Sequence, residues 1–487
     1  MGMLIFCACT RKREIPNDTL VVALSAQPLT LDPRLATDAT GMRIGNLIFN
    51  SLTRLGPNLQ AVADGAESWS YKDHVYTFHL RPDLRFHNGR AVNAADLEFS
   101  FDTFRKSGPF ASALDIITAV SAEDAALPVP HVIVHISLKN FSDKFLKSDL
   151  PTVKILPKAE TGPGFAEHLI GSGGFRFVHQ GAEGIELAAV TARTPHLIFK
   201  VIRDDFTRFQ KMLKGEVDIA QQELTADRVP YFQKEPGKFQ LHFYPGLTMA
   251  YLLINLRDPV LAKLEVRQAL ARTIERGELI RYKLFGQAEE ATSILTPNNP
   301  YFYPELHNLP FDLPGAQKTI ADLGLNGHVL TLKTSNTPQA VENGKVLAYQ
   351  MKRSGLAVQI QSYEWSTFYA DVKKGGFQLA TMRWVGTTDP DIYRQAFHSR
   401  EKPPGRNRGS YNNPRLDQLL DEGTREEDTF KRKKAFNEVQ KIVQDDLAII
   451  PLWYDRQIAV AKKIVKDYEP DQTGEYYPLL TAHKDGG

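Results

Sequence analysis

The sequence predicts a mixed α/β protein built as two lobes, and three observations carry that reading. At 487 residues the chain is too long for one hydrophobic core, so two or three domains are expected. Strand and helix patterns alternate through two large blocks, which excludes all-helical and all-strand architectures. Near Gly171-Ser172-Gly173-Gly174 the composition shifts to tight-turn residues, marking a change of local architecture inside the first block.

The elements follow in order. Leu20-Val21-Val22-Ala23-Leu24 is a compact apolar strand, broken by the prolines at 28 and 33, and Met42 to Leu52 returns to helical spacing. Tyr76-Thr77-Phe78-His79-Leu80 alternates apolar and polar residues, as a half-buried strand does, and His131 to Leu138 repeats the pattern. Ala94 to Phe104 reads as a helix entered after Asn93, a side chain suited to accept from the first-turn N–H groups. A strand pair is expected at Phe175–Val178 and Ile185–Ala189, then a helix around Phe206–Leu213 ended by Gly215. In the second block Met249 to Leu256 is a strand, and Glu265 to Leu284 is one helix with Val266, Ala269, Leu270 and Ile274 on a common face. Thr337-Pro338 opens another helix that Gly355 closes. Strands at Ala357–Ser362 and Phe377–Trp384, helices across most of Pro414 to Gln444, and a last strand at Ile449–Tyr454 complete the pattern.

Composition narrows the function classes. Hydrophobic residues make up 42% and charged residues 24%, ordinary values for a globular protein. The net charge of +2 lacks the one-sided basic surface of a nucleic-acid binder, so no nucleic-acid partner is expected. The two compact basic runs are Arg11-Lys12-Arg13 and Lys431-Arg432-Lys433-Lys434, and the second is read as a solvated helix surface opposite Phe436, Val439 and Val443. The only two cysteines are Cys7 and Cys9, which leaves no cysteine for a disulfide, zinc cluster or nucleophile elsewhere in the chain.

Met3-Leu4-Ile5-Phe6-Cys7-Ala8-Cys9 is an apolar run far shorter than the ~20 residues that cross a bilayer. It resembles the end of a bacterial lipoprotein signal, in which a small residue precedes the acylated cysteine. Ala8 before Cys9 suits that role better than bulky Phe6 before Cys7. The expectation is a lipid anchor at Cys9 and a polar tether through residue 18.

Several segments, in order and at consistent spacing from about residue 20 to residue 480, resemble solute-binding protein family 5, the cluster C extracytoplasmic solute-binding proteins. Leu29-Thr30-Leu31-Asp32-Pro33 is similar to the family's "tLdP" turn, and Ile48-Phe49-Asn50-Ser51-Leu52 to its "iyegL" helix end. Tyr76 to Pro82 with Phe86-His87-Asn88-Gly89-Arg90 resembles "ytFhLR.gvkFhdG", and Asn93-Ala94-Ala95-Asp96 resembles "tA.Dv". Leu213 to Asp218 is similar to "l..GeiD", and Val266-Arg267-Gln268-Ala269-Leu270 to "vR.Al".

The resemblance implies a type II, cluster C periplasmic-binding-protein-like fold, with an extra subdomain in the first lobe and a hinge between the lobes. The corresponding boundaries are 19–46, 172–253 and 452–487 for the first lobe's core, 47–171 for the extra subdomain, and 254–451 for the second lobe. It also implies a monomer, exported and held at the periplasmic or cell-surface side of the membrane. Such a protein captures a short peptide by lobe closure and delivers it to the membrane permease subunits of an ABC importer.

Met382 to Asp391 resembles the family's cleft-lining "gW.gD…DP" stretch, which places Trp384, with Val385 behind it, against ligand. Peptide-binding relatives carry an acidic residue three positions after this tryptophan to meet the peptide ammonium. Here that position is the uncharged Thr387, and the segment is about one residue shorter. Either Asp389 takes the ammonium or the ligand lacks one, and Asp389-Pro390-Asp391 also reads as a plain turn. Thr37, Ala39 and Phe110 occupy positions that contact ligand in such relatives, and Tyr411 lies in a stretch similar to "Y.N". Arg383 has the chemistry for a carboxylate.

The alternative ligand is a nickel chelate, a metallophore or another small anion. A directly held metal is not expected, because His131 and His135 are four residues apart on a strand, ~13 Å along it. No cofactor is expected. No GxSxG, HExxH or phosphate-loop spacing occurs, and Gly171-Ser172-Gly173-Gly174 lacks the following lysine of a phosphate cradle, so an enzyme is not expected.

Overall fold

The computed structural model describes residues 16–126, 129–182 and 184–485; Cys7, Cys9 and the basic run Arg11–Arg13 lie outside the described residues. An eleven-stranded mixed sheet spans the molecule. Phe175–Gly181, Gly184–Ala189, His196–Val201, Thr19–Leu24 and Ile219–Gln221 form one side of it. Leu379–Trp384, Val329–Ser335 and Ala357–Tyr363 form the other. Between them run two long antiparallel strands, Phe239–Ile254 and Ile449–Lys462, which belong to both sides.

The cores show why this is two lobes. Thr19–Leu24 sends Leu20, Val22 and Leu24 into one cluster and Val21 and Ala23 into another. A central strand covered on both faces needs no polar alternation, which accounts for its unbroken apolar run. On the other side Met249, Tyr251 and Leu253 enter one cluster while Ala250, Leu252 and Ile254 enter a second. The two long strands change cores partway: Phe239, Tyr244 and Ile458–Ala461 pack in the first lobe, Met249–Ile254 and Ile449–Tyr454 in the second. At the change their register shifts between Pro245 and Met249. Pro245 has no N–H to donate. A Cβ added to Gly246 would sit 2.6 Å from the Asp455 carbonyl oxygen, so the backbones approach closely there. This is the hinge.

The first lobe carries a separate antiparallel sheet, ordered Ala66–Lys72, Val75–Leu80, His131–Leu138, Ile117–Ala125. Helix Ala94–Ser107 covers it, begun by a capping box in which the Asn93 side chain accepts from the Asp96 N–H and Asp96 accepts from the Asn93 N–H. The glycine-rich turn is structural. A Cβ at Gly171 or Gly173 would lie 1.9 or 2.3 Å from the carbonyl oxygens of Ile48 and Leu47, and the His87 imidazole joins the turn through the Gly173 carbonyl at 3.0 Å.

Three element expectations are corrected. The helix expected over Glu265–Leu284 is two helices, Leu264–Thr273 and Arg276–Tyr282. The chain turns at Ile274 and Glu275, and the Arg276 Nε then donates to the Pro451 carbonyl at 2.9 Å, which ties the break to the adjacent strand. The strand expected from Met249 begins ten residues earlier at Phe239. The strand expected to stop at Tyr454 continues to Lys462, through the polar stretch Asp455-Arg456-Gln457 that pairs across the hinge with Pro245 and Tyr244.

Candidate ligand cleft

Trp384 ends the strand Leu379–Trp384, opposite Met249 on the first of the long strands. Its indole stacks on Tyr251 with 6.0 Å between centroids and 6° between planes. The Arg408 guanidinium lies over Trp384 at 5.9 Å and over Tyr369 at 4.9 Å, while its Nη2 donates to the Tyr369 hydroxyl at 2.7 Å. Trp365 stacks on Tyr369 at 5.4 Å and is 54% exposed. These residues form one column of flat groups held by an arginine clamp, so the Trp384 ring is fixed before any ligand arrives.

Beyond Trp384 the chain leaves the sheet. Val385 is exposed, Gly386 adopts φ +67°, and the Thr387 N–H donates to the Leu247 carbonyl at 3.2 Å. Leu247 lies in the hinge, so this segment of the second lobe is anchored where the lobes meet. The next residue reaches the first lobe, with the Thr388 hydroxyl 3.4 Å from the Ser148 hydroxyl.

Asp389 sits at the centre of a buried charge cluster. One carboxylate oxygen accepts from the Asp391 N–H at 2.9 Å, closing the turn anticipated for Asp389-Pro390-Asp391. The other is 3.5 Å from the Lys147 ammonium, which projects from the first-lobe turn Phe145–Asp149. Lys147 also donates to Asp143 at 2.5 Å and lies over the Tyr301 ring at 5.6 Å. From the second lobe, Arg432 approaches Asp389 at 3.7 Å and Asp391 at 3.1 Å. Burial first, then the Asp389 carboxylate, pushes the Asp391 carboxyl upward against the pull of Arg432, to about 7. Asp389 is therefore met by this chain's own cations, one from each lobe.

The remaining sequence candidates divide. Thr37 and Ala39 are exposed on either side of Asp38, which caps helix Ala39–Ile48 by accepting from the Gly41 N–H at 2.8 Å. Phe110 is half-buried at the head of the turn Ala111–Leu114 in the subdomain. Arg383 points to the opposite face of its strand from Trp384 and pairs with Asp455, which lies on the strand Ile449–Lys462 one strand further across the sheet. Tyr411 is 5% exposed, packs edge-on against Phe397, and donates its hydroxyl to Asp446, within the second lobe's core cluster.

Sequence reasoning missed Lys147, Trp365, Tyr369, Arg408 and Arg432. For Arg432 a signal existed. It lies four residues before Phe436 and seven before Val439, on the apolar face of helix Thr429–Asp445, and it is 1% exposed while Lys431, Lys433 and Lys434 are exposed. The four residues are thus not one solvated run, because Arg432 turns inward. His79 and His131 meet across adjacent strands at 3.3 Å, a juxtaposition that sequence separation hides. Among the described residues no group of three or more His, Cys, Asp or Glu is placed to hold a metal ion. A cavity of about 320 Å³ lies elsewhere in the second lobe, lined by Arg276, His307, Tyr393 and Gln444, and shares no residue with Trp384–Asp391.

Two lobes with separate cores, joined by two crossover strands and meeting at an aromatic and charged seam, have the architecture of a two-lobed solute-binding protein. Residues 60–403, more than half the chain, match the family described as bacterial extracellular solute-binding proteins, family 5 Middle, and the chain belongs to that family. It is 24% identical to heme-binding protein A of Haemophilus influenzae, over 95% of this chain and 91% of that protein. It is 22% identical to the dipeptide-binding protein of Escherichia coli, over 97% and 96% of the two chains. The solved structure of HbpA2 from Haemophilus parasuis superposes with a TM-score of 0.85 at 22% identity, covering 96% of this chain and all of that one.

Proposed function

We propose that this protein is the substrate-binding component of an ABC importer, capturing short peptides between its lobes and presenting the closed form to a membrane permease. The observation that carries this is the seam at Trp384–Asp391, where a fixed aromatic surface leads directly into a hinge contact and then into side chains of the opposite lobe. Ligand held there touches both lobes and favours their closure. The dipeptide-binding relative supports a peptide cargo. The lobe limits given above, 19–46 with 172–253 and 452–487 against 254–451, and the subdomain 47–171, belong to this reading. So do a monomeric state and a lipid anchor at Cys9, on the periplasmic or cell-surface side of the membrane. The chain contributes binding and transfer, not catalysis.

A second reading has a specific observation behind it. The exposed Trp365 face and the Trp384 column suit a flat ligand, and the heme-binding relative points to chelated metals, a class that includes nickel complexes and metallophores. Native mass spectrometry of the chain from residue 16 onward, before and after denaturing release, separates the two. A ladder of small peptide masses is the expected outcome. One discrete adduct with a metal isotope pattern overturns peptide transport in favour of the chelate.

A further inference from the structure

Arg276 is a buried cation that the fold leaves without a carboxylate. It follows the turn at Ile274 and Glu275, is 5% exposed, and spends its Nε on the Pro451 carbonyl at 2.9 Å. Among the described residues its two terminal nitrogens have no hydrogen-bond partner and form no ion pair. Glu290 attracts it from beyond ion-pair range, and burial outweighs that attraction, pulling the guanidinium down to about 10. A guanidinium presents a planar fork that a carboxylate fills with two parallel bonds, and an unpaired buried charge is strongly disfavoured.

There is space for such a carboxylate. Arg276 lines the second-lobe cavity of about 320 Å³ and also an adjoining one of about 490 Å³, and the two share Thr292, His307 and Asn308. Volumes of this size hold a small molecule. In the first cavity Gln268, His307 and Gln444 present polar side chains that make no hydrogen bond among the described residues. Its one carboxylate, Asp445, is paired with Lys441 at 2.8 Å. The second cavity is edged by Glu275 and Glu290, neither of them in an ion pair. A bare anion would meet these two carboxylates, and a bare ammonium would meet Arg276. A ligand carrying both charges on neighbouring atoms answers each side.

We propose that the Arg276 cavity is a second binding site, for an α-amino acid, with the ligand carboxylate on the Arg276 fork and its ammonium toward Glu275 and Glu290. The site shares no residue with Trp384–Asp391 and does not depend on what the cleft carries.

The test titrates the protein by calorimetry with each common protein amino acid. The tightest is then compared with two analogues, the acid lacking its amino group and the amine lacking its carboxylate. At least one amino acid is expected to bind with a Kd below about 1 mM, and both analogues at least about tenfold more weakly. Arg276→Gln should weaken the amino acid at least about tenfold. Gln268→Trp, which fills the cavity from a half-buried wall position, should do the same. Trp384→Ala damages the cleft instead and should change this affinity by less than about twofold. The inference is overturned if no amino acid binds, if either analogue binds as tightly as its parent, or if binding survives both Arg276→Gln and Gln268→Trp. Loss in Trp384→Ala with retention in the other two variants overturns it as well, by moving the amino acid to the cleft. If Arg276→Gln does not fold, having stranded the Pro451 carbonyl, Gln268→Trp and the two analogues decide.

Discussion

Arg432 shows what one buried cation does at the seam. Its Nη1 donates to the Gly423 carbonyl at 2.7 Å, its Nη2 pairs with Asp391, and its plane covers Phe436 at 5.2 Å. Replacing it with methionine keeps the volume but strands Asp389 and Asp391 with one cation fewer. Removing one partner of a buried pair costs about 3–5 kcal/mol, so Arg432→Met should lower the urea midpoint sharply, and Asp391→Asn added to it should recover part of the loss. Lys154 gives a pH signature. Its ammonium donates to the Ser51 hydroxyl and the Pro151 carbonyl, both at 2.7 Å, yet burial pulls it down to about 8 against the attraction of Asp64 and Glu475. Below that pH both folded and unfolded chains hold the proton and the full penalty stands. As pH rises toward the unfolded value near 10.4 the penalty is relieved, so Lys154 adds stability with rising pH. Between pH 7.5 and 9.5 the wild type should gain on the order of 2 kcal/mol relative to Lys154→Met, read from urea curves at each pH.

At the scale of elements the crossover strands matter most. Each contributes to the cores of both lobes, so their interruption at Pro245–Met249 decides where the lobes pivot. Gly246 has no room for a side chain against the Asp455 backbone. Gly246→Val should cost on the order of 2 kcal/mol in denaturant unfolding and weaken ligand retention as well, because it pushes the two strands apart at the pivot. Gly246→Ala should show the same direction with a smaller loss. Local chemistry made many elements legible. The alternation of Tyr76–Leu80 and His131–Leu138, the Asn93 cap and the Gly215 stop all lie where the pattern placed them. The failures have a common cause. The polar stretch Asp455–Gln457 and the turn at Ile274–Glu275 are set by distant partners, Tyr244 and Pro451, that no local window contains.

For the whole molecule, the proposed binding function predicts that denaturation of the purified protein releases bound cargo. The seam holding the lobes together joins residues far apart in the chain: Ser148 and Thr388 are separated by 240 positions. The sequence by itself determined the α/β class, the family through an ordered series of short motifs, and Trp384 as a candidate cleft residue. These rest on periodicity, turn chemistry and spacing, which are properties of neighbouring residues. Tertiary structure alone decided that Asp389 is met by Lys147 and Arg432, that Arg383 is spent on Asp455, that Tyr411 is core, and that Trp365, Tyr369 and Arg408 align behind Trp384. The reason is physical. Whether a charge is free to meet a ligand depends on which other charges the fold brings within a few ångströms of it, and that depends on long-range packing rather than on local sequence.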